Sequence, residues 1–409
     1  MRKQSEKSVV IAGGGIGGLA AALAISNKGY RVTVLEQAPQ FGEIGAGIQL
    51  GPNAFHALDR LGVGEATRAS AVFIDQLTLM DSLTEKPFAQ IPVGEQFRKR
   101  FGNPYVVIHR ADIHTPLLEA CRRSDKVTLL TNQRVVSFDE MDGRVTVLAA
   151  DGTKHEADAL IGADGLRSRI RESVVGDAAP LLSGHICFRA VLPIEDMPED
   201  LRWNRMTIWC GPGTHFVHYP LRGGKLFNLV ATFVGEPTPV ATGHGQPGDR
   251  NELLFRFREV GPTPRKIMER PKTWTRWVLG DREPVTNWSR GPVTLLGDAA
   301  HPMHQYFAQG ACMALEDAVC LADKIAAADG DFAKAFIDYQ NARILRTGQV
   351  VLGARFIGDK IFHPRGVEAQ IRNAILSPKT PEQFYDMLDW LYGGPPEYRR
   401  AAPARRSAA

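Results

Sequence analysis

The chain has 409 residues, a formal net charge of +4 and 44% hydrophobic residues, and its length predicts two lobes because it exceeds what one hydrophobic core usually organises. The composition is that of an ordinary globular protein, and the scattered basic residues disfavour nucleic acid as a partner. Five cysteines without a CxxC pair disfavour a disulfide framework, a zinc site and a dithiol redox centre, and they favour a reducing, cytoplasmic setting.

A β-α-β unit opens the chain. Residues 8–12 are a short apolar run, 13–18 a glycine-rich turn, 19–29 a helical pattern and 31–36 a second apolar run that ends in an acid. The apolar stretch at 9–25 could imitate a secretory signal, but its five glycines and the strand that follows favour a nucleotide-binding turn. No other stretch is long and apolar enough to span a bilayer, so no integral membrane association is expected.

The glycine-rich turn has the spacing Gly13-x-Gly15-x-x-Gly18, and Glu36 ends the strand that follows. Gly13 permits the tight turn, Gly15 lets the backbone approach a pyrophosphate, and Gly18 lets helix and strand pack closely. The helix N-terminus adds oriented N–H groups and positive potential, and Glu36 can accept hydrogen bonds from ribose hydroxyls. The pattern predicts a dinucleotide site, but FAD and NAD satisfy it equally.

Two kinds of pattern alternate along the rest of the chain. Further α/β signals lie at residues 105–108, 115–123, 127–131, 159–164 and 293–298. Runs that indicate antiparallel sheet lie at residues 206–209, 215–219 and 226–233, the last two joined by a hairpin-like link at 221–225. A loop is predicted at residues 236–250, a helical pattern from 332 to about 376, and a short helix around 382–391.

These patterns predict an α/β fold in which a Rossmann-like lobe is interrupted by a mainly antiparallel sheet and followed by a helical segment. The nucleotide-binding lobe is assigned to residues 1–75, 105–180 and 286–330. The inserted substrate lobe is assigned to residues 76–104 and 181–285, and the C-terminal helices and tail to 331–409.

A second motif chooses between the two dinucleotides. Gly297-Asp298-Ala299-Ala300-His301-Pro302 follows an apolar strand, and Ala308-Gln309-Gly310-Ala311 opens a helix. Asp298 is placed to accept a hydrogen bond from a ribityl or ribose hydroxyl. The helix N-terminus at Gly310 and Ala311 would stabilise negative charge on a reduced flavin.

Two further segments complete a resemblance to a known family. Residues 162–171 contain Asp164-Gly165, and Arg110 offers a permanent, forked cation that suits phosphate. Together with the two motifs above, they resemble the FAD-dependent aromatic hydroxylases, the single-component flavoprotein monooxygenases with the p-hydroxybenzoate hydroxylase-like fold. The cofactor-binding positions that the motifs and the resemblance give are Gly13, Gly15, Ile16, Gly17, Gly18, Glu36, Gln37, Gly47, Arg110, Val136, Asp164, Asp298, Gly310 and Ala311.

The resemblance implies a reaction as well as a fold. In this family, non-covalently bound FAD is reduced by NADH, O2 adds to give a flavin C4a-hydroperoxide, and one oxygen atom passes to an aromatic ring; no metal is needed. The resemblance also implies a homodimer. An electrophilic oxygen attacks only an electron-rich ring, so the enzyme gains by converting a phenol to a phenolate.

The substrate end is predicted from one strand and one loop position. In the sequence 215–219, strand alternation places His215 and Tyr219 on one face and His218 on the other. Gln305 stands where the family usually has proline, and in the 3-hydroxybenzoate 6-hydroxylase subgroup a glutamine at this position acts with the strand histidine. We therefore predict that His215 takes the phenol proton, that Gln305 orients and polarises the phenol, and that Tyr219 orients the substrate.

The predicted reaction is hydroxylation of 3-hydroxybenzoate para to its phenol, which gives 2,5-dihydroxybenzoate (gentisate). A salicylate hydroxylase or a hydroxypyridine-carboxylate monooxygenase is the alternative, and a non-catalytic flavin- or dinucleotide-binding protein is the alternative from another class. Arg189 and Arg222 are the candidates for binding the substrate carboxylate, although the hairpin position of Arg222 favours a solvent-facing side chain. Selectivity for a carboxylated phenol is implied by the resemblance alone.

Overall fold

A computed structural model describes residues 7–42, 46–177, 179–235 and 245–395 of the chain. Its strands, in chain order, are β1 Ser8–Ala12, β2 Arg31–Leu35, β3 Gly47–Leu50, β4 Val72–Phe73, β5 Gln76–Asp81, β6 Pro87–Pro92, β7 Val106–His109, β8 Val127–Leu130, β9 Val135–Met141, β10 Arg144–Ala149, β11 Lys154–Ala157, β12 Ala159–Gly162, β13 Leu181–Pro193, β14 Met206–Gly211, β15 Thr214–Leu221, β16 Leu226–Val234, β17 Gln246–Gly248, β18 Trp274–Asp281, β19 Ser289–Arg290 and β20 Val293–Leu295.

Helices occur in both lobes and in the C-terminal part of the described residues. They are α1 Ile16–Ser26, α2 Pro52–Arg60, α3 Gly64–Ser70, α4 Glu95–Phe101, α5 Arg110–Arg123, α6 Arg169–Val174, α7 Arg250–Arg256, α8 Pro262–Met268, α9 Gly310–Ala327, α10 Phe332–Phe356, α11 Gly366–Leu376 and α12 Pro381–Tyr392. A π-helical segment, Ile357–Phe362, extends α10, and 3₁₀ turns lie at Gly297–Ala299 and Gln305–Phe307. No helix in the described ranges is long and apolar enough to cross a membrane.

The first lobe is built on a six-stranded sheet with the order β19-β20-β12-β1-β2-β8. Its strands are parallel except for the β19–β20 pair, and β1 lies centrally between β12 and β2. Helix α1 is apolar on all sides because it is buried against the sheet and α9, with ten of its eleven residues buried. This arrangement brings the glycine turn, the segment after β12 and the segment after β20 to one edge, where the carboxyl ends of parallel strands meet.

The second lobe is an eight-stranded sheet with the order β17-β18-β13-β16-β15-β14-β5-β6. All neighbouring strands are antiparallel except β14 and β5. One face of the sheet packs on α7 and α8, and the other turns toward the first lobe and the C-terminal helices. The predicted fold class, a Rossmann-like lobe with an inserted, mainly antiparallel sheet and a helical C-terminal segment, is confirmed; the six segment boundaries stay a prediction.

The structure corrects one predicted element and adds detail to another. Residues 246–248, predicted as loop, form β17, an edge strand that pairs with β18; residues 236–244 lie outside the described ranges. The helical pattern predicted from 332 to about 376 is divided between α10 with its π-helical extension, which ends at Phe362, and α11, which begins at Gly366. Pro364 lacks the backbone N–H that a continuing helix requires, which accounts for the break.

Candidate active site

A cavity of about 490 Å³ lies between the two lobes. Its walls on the first lobe come from the glycine turn, the segment after β12 and the loop from Leu296 to Ala311. Its walls on the second lobe come from β13, β15 and β16, with Ile357, Ile361 and Phe362 of the π-helical segment closing one side. The size is in the range of small-molecule and cofactor sites.

The glycine turn is shaped by close backbone contacts. Gly13 has φ of +112°, and a Cβ atom on it would lie 2.3 Å from the Ala163 carbonyl oxygen. A Cβ atom on Gly18 would lie 2.0 Å from the Gly13 carbonyl oxygen. No side chain caps the N-terminus of α1, and the Glu36 carboxylate at the end of β2 accepts a 2.8 Å hydrogen bond from the Gly14 N–H. The turn therefore presents backbone N–H groups beside an oriented acid.

Asp164 follows β12 at the same edge of the sheet. Its Oδ2 accepts a 2.8 Å hydrogen bond from the Arg169 N–H, while Oδ1 is buried without a hydrogen-bond partner among the described residues. Burial raises the pKa of this carboxyl above its ordinary value, against the hydrogen bonds that lower it. A buried carboxylate oxygen without a donor suits a ligand hydroxyl.

A buried arginine joins this segment to the loop after β20. Arg171, on α6, donates to the Ala299 carbonyl at 3.0 Å and pairs with Asp177 at 2.6 Å. The second contact is shared, because Arg282 also reaches Asp177 at 3.0 Å. These bonds hold the two cofactor-side segments at a fixed separation.

The N-terminus of α9 faces the cavity. The helix begins at Gly310, as predicted, and both Gly310 and Ala311 line the cavity. Gln309 precedes the helix without capping it, and its Oε1 instead accepts a 2.9 Å hydrogen bond from Asn53. The first N–H groups of α9 therefore remain available to a ligand, together with the positive potential of that helix end.

A buried ionic network supports the same loop from below. Arg343, only 1% exposed, pairs with Asp317 and with Glu316 at 2.7 Å each. Asp317 also lies 2.6 Å from His301 Nε2 and accepts from the Gly297 N–H at 3.1 Å. Burial alone would raise the pKa of Asp317, but His301 and Arg343 outweigh burial and lower it to about 2. His301 thus has a structural partner in this network.

Strand β15 carries the predicted histidine and tyrosine. His215, Val217 and Tyr219 all line the cavity, whereas His218 lies on the opposite face, stacked on Phe216 and Trp209. Tyr219 packs against the backbone of β3, where a Cβ atom on Gly47 would lie 2.7 Å from the Tyr219 ring. Alternation therefore separates the two histidines in the way that the strand pattern predicts.

Gln305 lies on the same side of the cavity and is fixed by three side chains. Its Oε1 accepts a 2.6 Å hydrogen bond from Arg189 Nη2. Its Nε2 donates to Thr232 Oγ1 at 3.1 Å and contacts Cys187 Sγ at 3.5 Å. Arg189 has only donors to offer, so the amide oxygen must face it. Arg189 also lines the cavity, and its Nε is buried without a partner in the described part of the chain.

His215 is bonded to a residue that sequence reasoning missed. Its Nδ1 lies 2.7 Å from Nε2 of His363, at the end of the π-helical segment. Burial, followed by the neighbouring His363 and His185, holds the pKa of His215 well below its ordinary value. His215 and Gln305 line the same cavity, and Thr232 connects them. Thr232 accepts a hydrogen bond from Gln305 and is the cross-strand neighbour of His215.

Comparison with known proteins decides the family. A family profile described as "FAD binding domain" matches residues 6–352. The "3-hydroxybenzoate 6-hydroxylase" of Polaromonas naphthalenivorans (strain CJ2) is 51% identical over 385 residues, which cover 94% of this chain and 95% of that protein. A protein with the same name from Klebsiella oxytoca is 48% identical over 384 residues, 94% of this chain and 96% of that protein. The chain belongs to the FAD-dependent aromatic hydroxylases.

Solved structures agree with this assignment. The complex of Klebsiella pneumoniae HpxO with FAD and uric acid has a TM-score of 0.83 and 27% identity, and the match covers 96% of this chain and 98% of that one. A salicylate hydroxylase substrate complex has a TM-score of 0.81 and 25% identity, with coverage of 95% and 96%.

The residues of this hydroxylase fit FAD. The glycine turn and the two uncapped helix ends offer N–H groups to phosphates and to the flavin, and the unpartnered Asp164 Oδ1 offers an acceptor to a hydroxyl. Of the predicted cofactor-binding residues, eight line the cavity: Gly15, Ile16, Gly17, Gly47, Arg110, Asp298, Gly310 and Ala311. Four others lie beside the cavity. Gly13 and Gly18 form the turn, and Glu36 and Asp164 provide the two carboxylates.

Two predicted cofactor residues of the hydroxylase lie apart from the cavity lining. Gln37 is exposed after β2, and Val136 is 38% exposed on β9, in a three-stranded sheet with β10 and β11. Their roles stay predictions. Arg222, a candidate for the substrate carboxylate, instead bonds Asp112 at 3.0 Å on the surface, so the structure leaves Arg189 as the cavity-lining arginine of that pair.

Proposed function

We propose that this hydroxylase converts 3-hydroxybenzoate to 2,5-dihydroxybenzoate (gentisate), inserting oxygen para to the phenol. The observation that carries the proposal is Gln305, whose amide is held by Arg189 on the cavity wall that also presents His215. The relatives at 48–51% identity that bear the name 3-hydroxybenzoate 6-hydroxylase support the substrate assignment. FAD, when bound and reduced, supplies the chemistry that activates O2 and delivers one of its oxygen atoms to the ring.

The side chains of this chain would prepare the ring for that delivery. A phenol has a pKa of about 10, so only about one molecule in a thousand is ionised at pH 7, and lowering that pKa by about three units, to half ionisation, requires roughly 4 kcal/mol of differential stabilisation. The Gln305 amide, polarised by its hydrogen bond from Arg189, would stabilise the phenolate in an enclosed site, where such interactions are stronger than in water. His215, kept neutral by burial, can accept the phenol proton, and Tyr219 would orient the ring.

Arg189 is also the group best placed to recognise a carboxylate. It lines the cavity, carries a permanent charge and has a buried Nε without a partner in the described residues. An arginine that donates to Gln305 through one nitrogen retains further N–H groups for an anion. We propose that the same guanidinium serves the amide and the substrate charge.

The electron donor, the oligomeric state and the location are further parts of the proposal. We propose NADH as the donor and the cytoplasm, a source of NADH, as the location, in keeping with five buried free cysteines. A homodimer is supported by apolar side chains on the outer faces of α10 and α11. These exposed residues are Leu345, Leu352, Phe356, Val367, Ile371 and Ile375.

The test compares substrates and variants of the FAD-loaded enzyme. NADH and NADPH oxidation would be followed with 2-, 3- and 4-hydroxybenzoate and 6-hydroxynicotinate, and the products identified by chromatography. We expect gentisate from 3-hydroxybenzoate, with Gln305→Pro lowering turnover at least tenfold at unchanged FAD content. Catechol from 2-hydroxybenzoate would identify a salicylate hydroxylase, and a bound flavin with no stimulated oxidation would identify a non-catalytic flavoprotein.

A further inference from the structure

Four histidines cluster beside the cavity wall that presents His215 and Gln305. They are His185 on β13, His215 on β15, His304 in the loop before α9 and His363 after the π-helical segment. Neighbouring ring centroids lie 4.9–5.7 Å apart, and the Tyr306 hydroxyl lies 2.7 Å from His185 Nδ1. The proposed function uses only His215 of this cluster.

The proton acceptor role of His215 raises a physical difficulty. A free phenol of pKa about 10 and an imidazole of pKa about 6.5 differ by about three and a half units, and the proposed stabilisation of the phenolate removes only about three of them, so a proton stored on His215 is still disfavoured. Burial and the adjacent imidazoles widen this gap by lowering the pKa of His215 further. A buried histidine can serve as the acceptor only if it passes a proton onward.

The geometry offers one exit. With Nδ1 of His215 held 2.7 Å from Nε2 of His363, Nε2 of His215 is the nitrogen left for a ligand in the cavity. On His363, Nδ1 is buried and has no hydrogen-bond partner within the described ranges. The two rings thus form a chain from His215 Nε2 to His363 Nδ1, where a buried polar nitrogen without a protein partner suits a bound water molecule.

The backbone fixes His363 in this position. The His363 carbonyl accepts a 3.1 Å hydrogen bond from the Gly213 N–H, two residues before His215, and the His363 N–H donates to the Gly358 carbonyl at 3.0 Å. The π-helical segment that ends beside it also lines the cavity through Ile357, Ile361 and Phe362. π-Helical segments are rare in proteins, and those that occur are often found at functional sites.

We propose that His363 is the second member of a proton relay that carries the substrate's phenolic proton out of the cavity through His215. This inference rests on the proposed function. The phenol O–H bond breaks as its proton joins His215 Nε2, the His215 Nδ1 proton moves to His363 Nε2, and the His363 Nδ1 proton passes to a water molecule bound at that otherwise unpartnered nitrogen, which carries it as hydronium to solvent. Both histidines end neutral with their tautomers exchanged, and the phenolate remains beside Gln305. Return of the tautomers resets the pair after each turnover.

Charged and titratable groups surround His363 on several elements. His185, His215, His304 and Tyr306 approach from the sheet and the loop, and Arg365 follows on the same segment. Burial first, then His185 and Arg365, lowers the pKa of His363 to about 3. The relay therefore operates with neutral imidazoles near pH 7. Asp281, 3.3 Å from His304, and Asp359 lie on the outer side of the cluster.

The experiment measures proton release directly. FAD-loaded enzyme would be mixed rapidly with 3-hydroxybenzoate in weak buffer containing a pH-indicator dye, without NADH. We expect His363→Gln and His363→Phe each to slow proton release at least tenfold, with unchanged FAD content and unchanged Kd for benzoate, which lacks the phenol. His218→Phe is the matched control, because it removes a buried imidazole from the other face of β15 and keeps the aromatic stack.

A measurement on the unaltered enzyme makes the test independent of the variants. The rate of proton release in mixtures of H2O and D2O should show a curved dependence on the deuterium fraction, because the relay moves three protons together. A linear dependence, or unchanged release rates in both His363 variants, would overturn the relay. Failure of the proposed function would look different, since 3-hydroxybenzoate would then give no gentisate with the unaltered enzyme.

Discussion

The two walls of the cavity are built by different means. The cofactor wall consists mainly of backbone: glycine positions that tolerate no Cβ atom, and two helix N-termini that no side chain caps. The substrate wall consists of side chains that converge from β13, β15, β16, the loop before α9 and the π-helical segment. Backbone sites depend on local sequence, whereas a convergent wall depends on tertiary packing. Substitutions in the cofactor wall should therefore abolish binding because an added Cβ atom clashes with the backbone. Substitutions in the substrate wall should each remove one interaction and reduce binding or turnover by a limited factor.

The largest expected effect is on the cofactor wall. Gly18→Ala would place a Cβ atom 2.0 Å from the Gly13 carbonyl oxygen, so the turn must move and FAD binding should be lost. FAD content after purification, read from flavin absorbance, measures this. Gly94→Ala is the control, because a Cβ atom there meets nothing within 4 Å. Retention of FAD by the Gly18 variant would show that the turn adapts.

A substitution beneath the cofactor wall ranks next. Arg343→Met would remove the arginine that pairs with both buried carboxylates. Glu316 would keep Arg346 and Asn53, whereas Asp317 would keep only His301 and the Gly297 N–H among these partners. Removing one partner of a buried pair typically costs about 3–5 kcal/mol. We expect thermal unfolding to shift down by several degrees and the loop to lose its support. Arg60→Met, which breaks an exposed pair with Asp323, should leave the melting temperature unchanged.

The histidine cluster predicts a pH dependence of the free energy of unfolding. Burial lowers the pKa of His185 to about 4 and that of His363 to about 3, so both favour the folded state while neutral. Their contribution is complete above pH 6.5 and is lost as the pH falls below it toward the folded pKa values. At pH 5.5 the loss is about 1.4 kcal/mol for each histidine. Denaturant titrations at pH 7.5 and 5.5 measure it, and His363→Gln should lose less than the unaltered chain.

The smallest expected effect separates two arginines. Arg189→Gln should raise the KM for 3-hydroxybenzoate about tenfold, which is the effect of one charge-assisted hydrogen bond. Arg222→Gln removes only an exposed ion pair with Asp112, so KM should stay the same. Steady-state kinetics with both variants compare the two directly. Equal KM values in the two variants would remove Arg189 from the substrate wall.

The contrast between the walls also explains what the sequence could predict. The glycine turn, the acid after β2 and the start of α9 were predictable because each depends on a few consecutive residues. Alternation along β15 likewise predicted that His215 and Tyr219 share a face and that His218 does not. Their catalytic roles remain predictions.

His363 was not predictable, because it approaches His215 from 148 residues away and no local pattern announces a π-helical segment. Pro364 was the only local sign, since it indicates a helix end near this position. The contact between Arg189 and Gln305 was also beyond sequence reasoning, because 116 residues separate them.

The orientation of the Gln305 amide has a consequence for analogues of the substrate. Arg189 donates to the Gln305 oxygen, so Gln305 can offer a substrate only an N–H, and that N–H is shared with Thr232 or Cys187. A phenolate oxygen can accept the hydrogen bond from this N–H. A substrate group that keeps its own hydrogens instead places one donor against another. We therefore expect 3-aminobenzoate, as close in shape as an analogue can be, to be a poor mimic of 3-hydroxybenzoate, because its amino group cannot become an anion under these conditions.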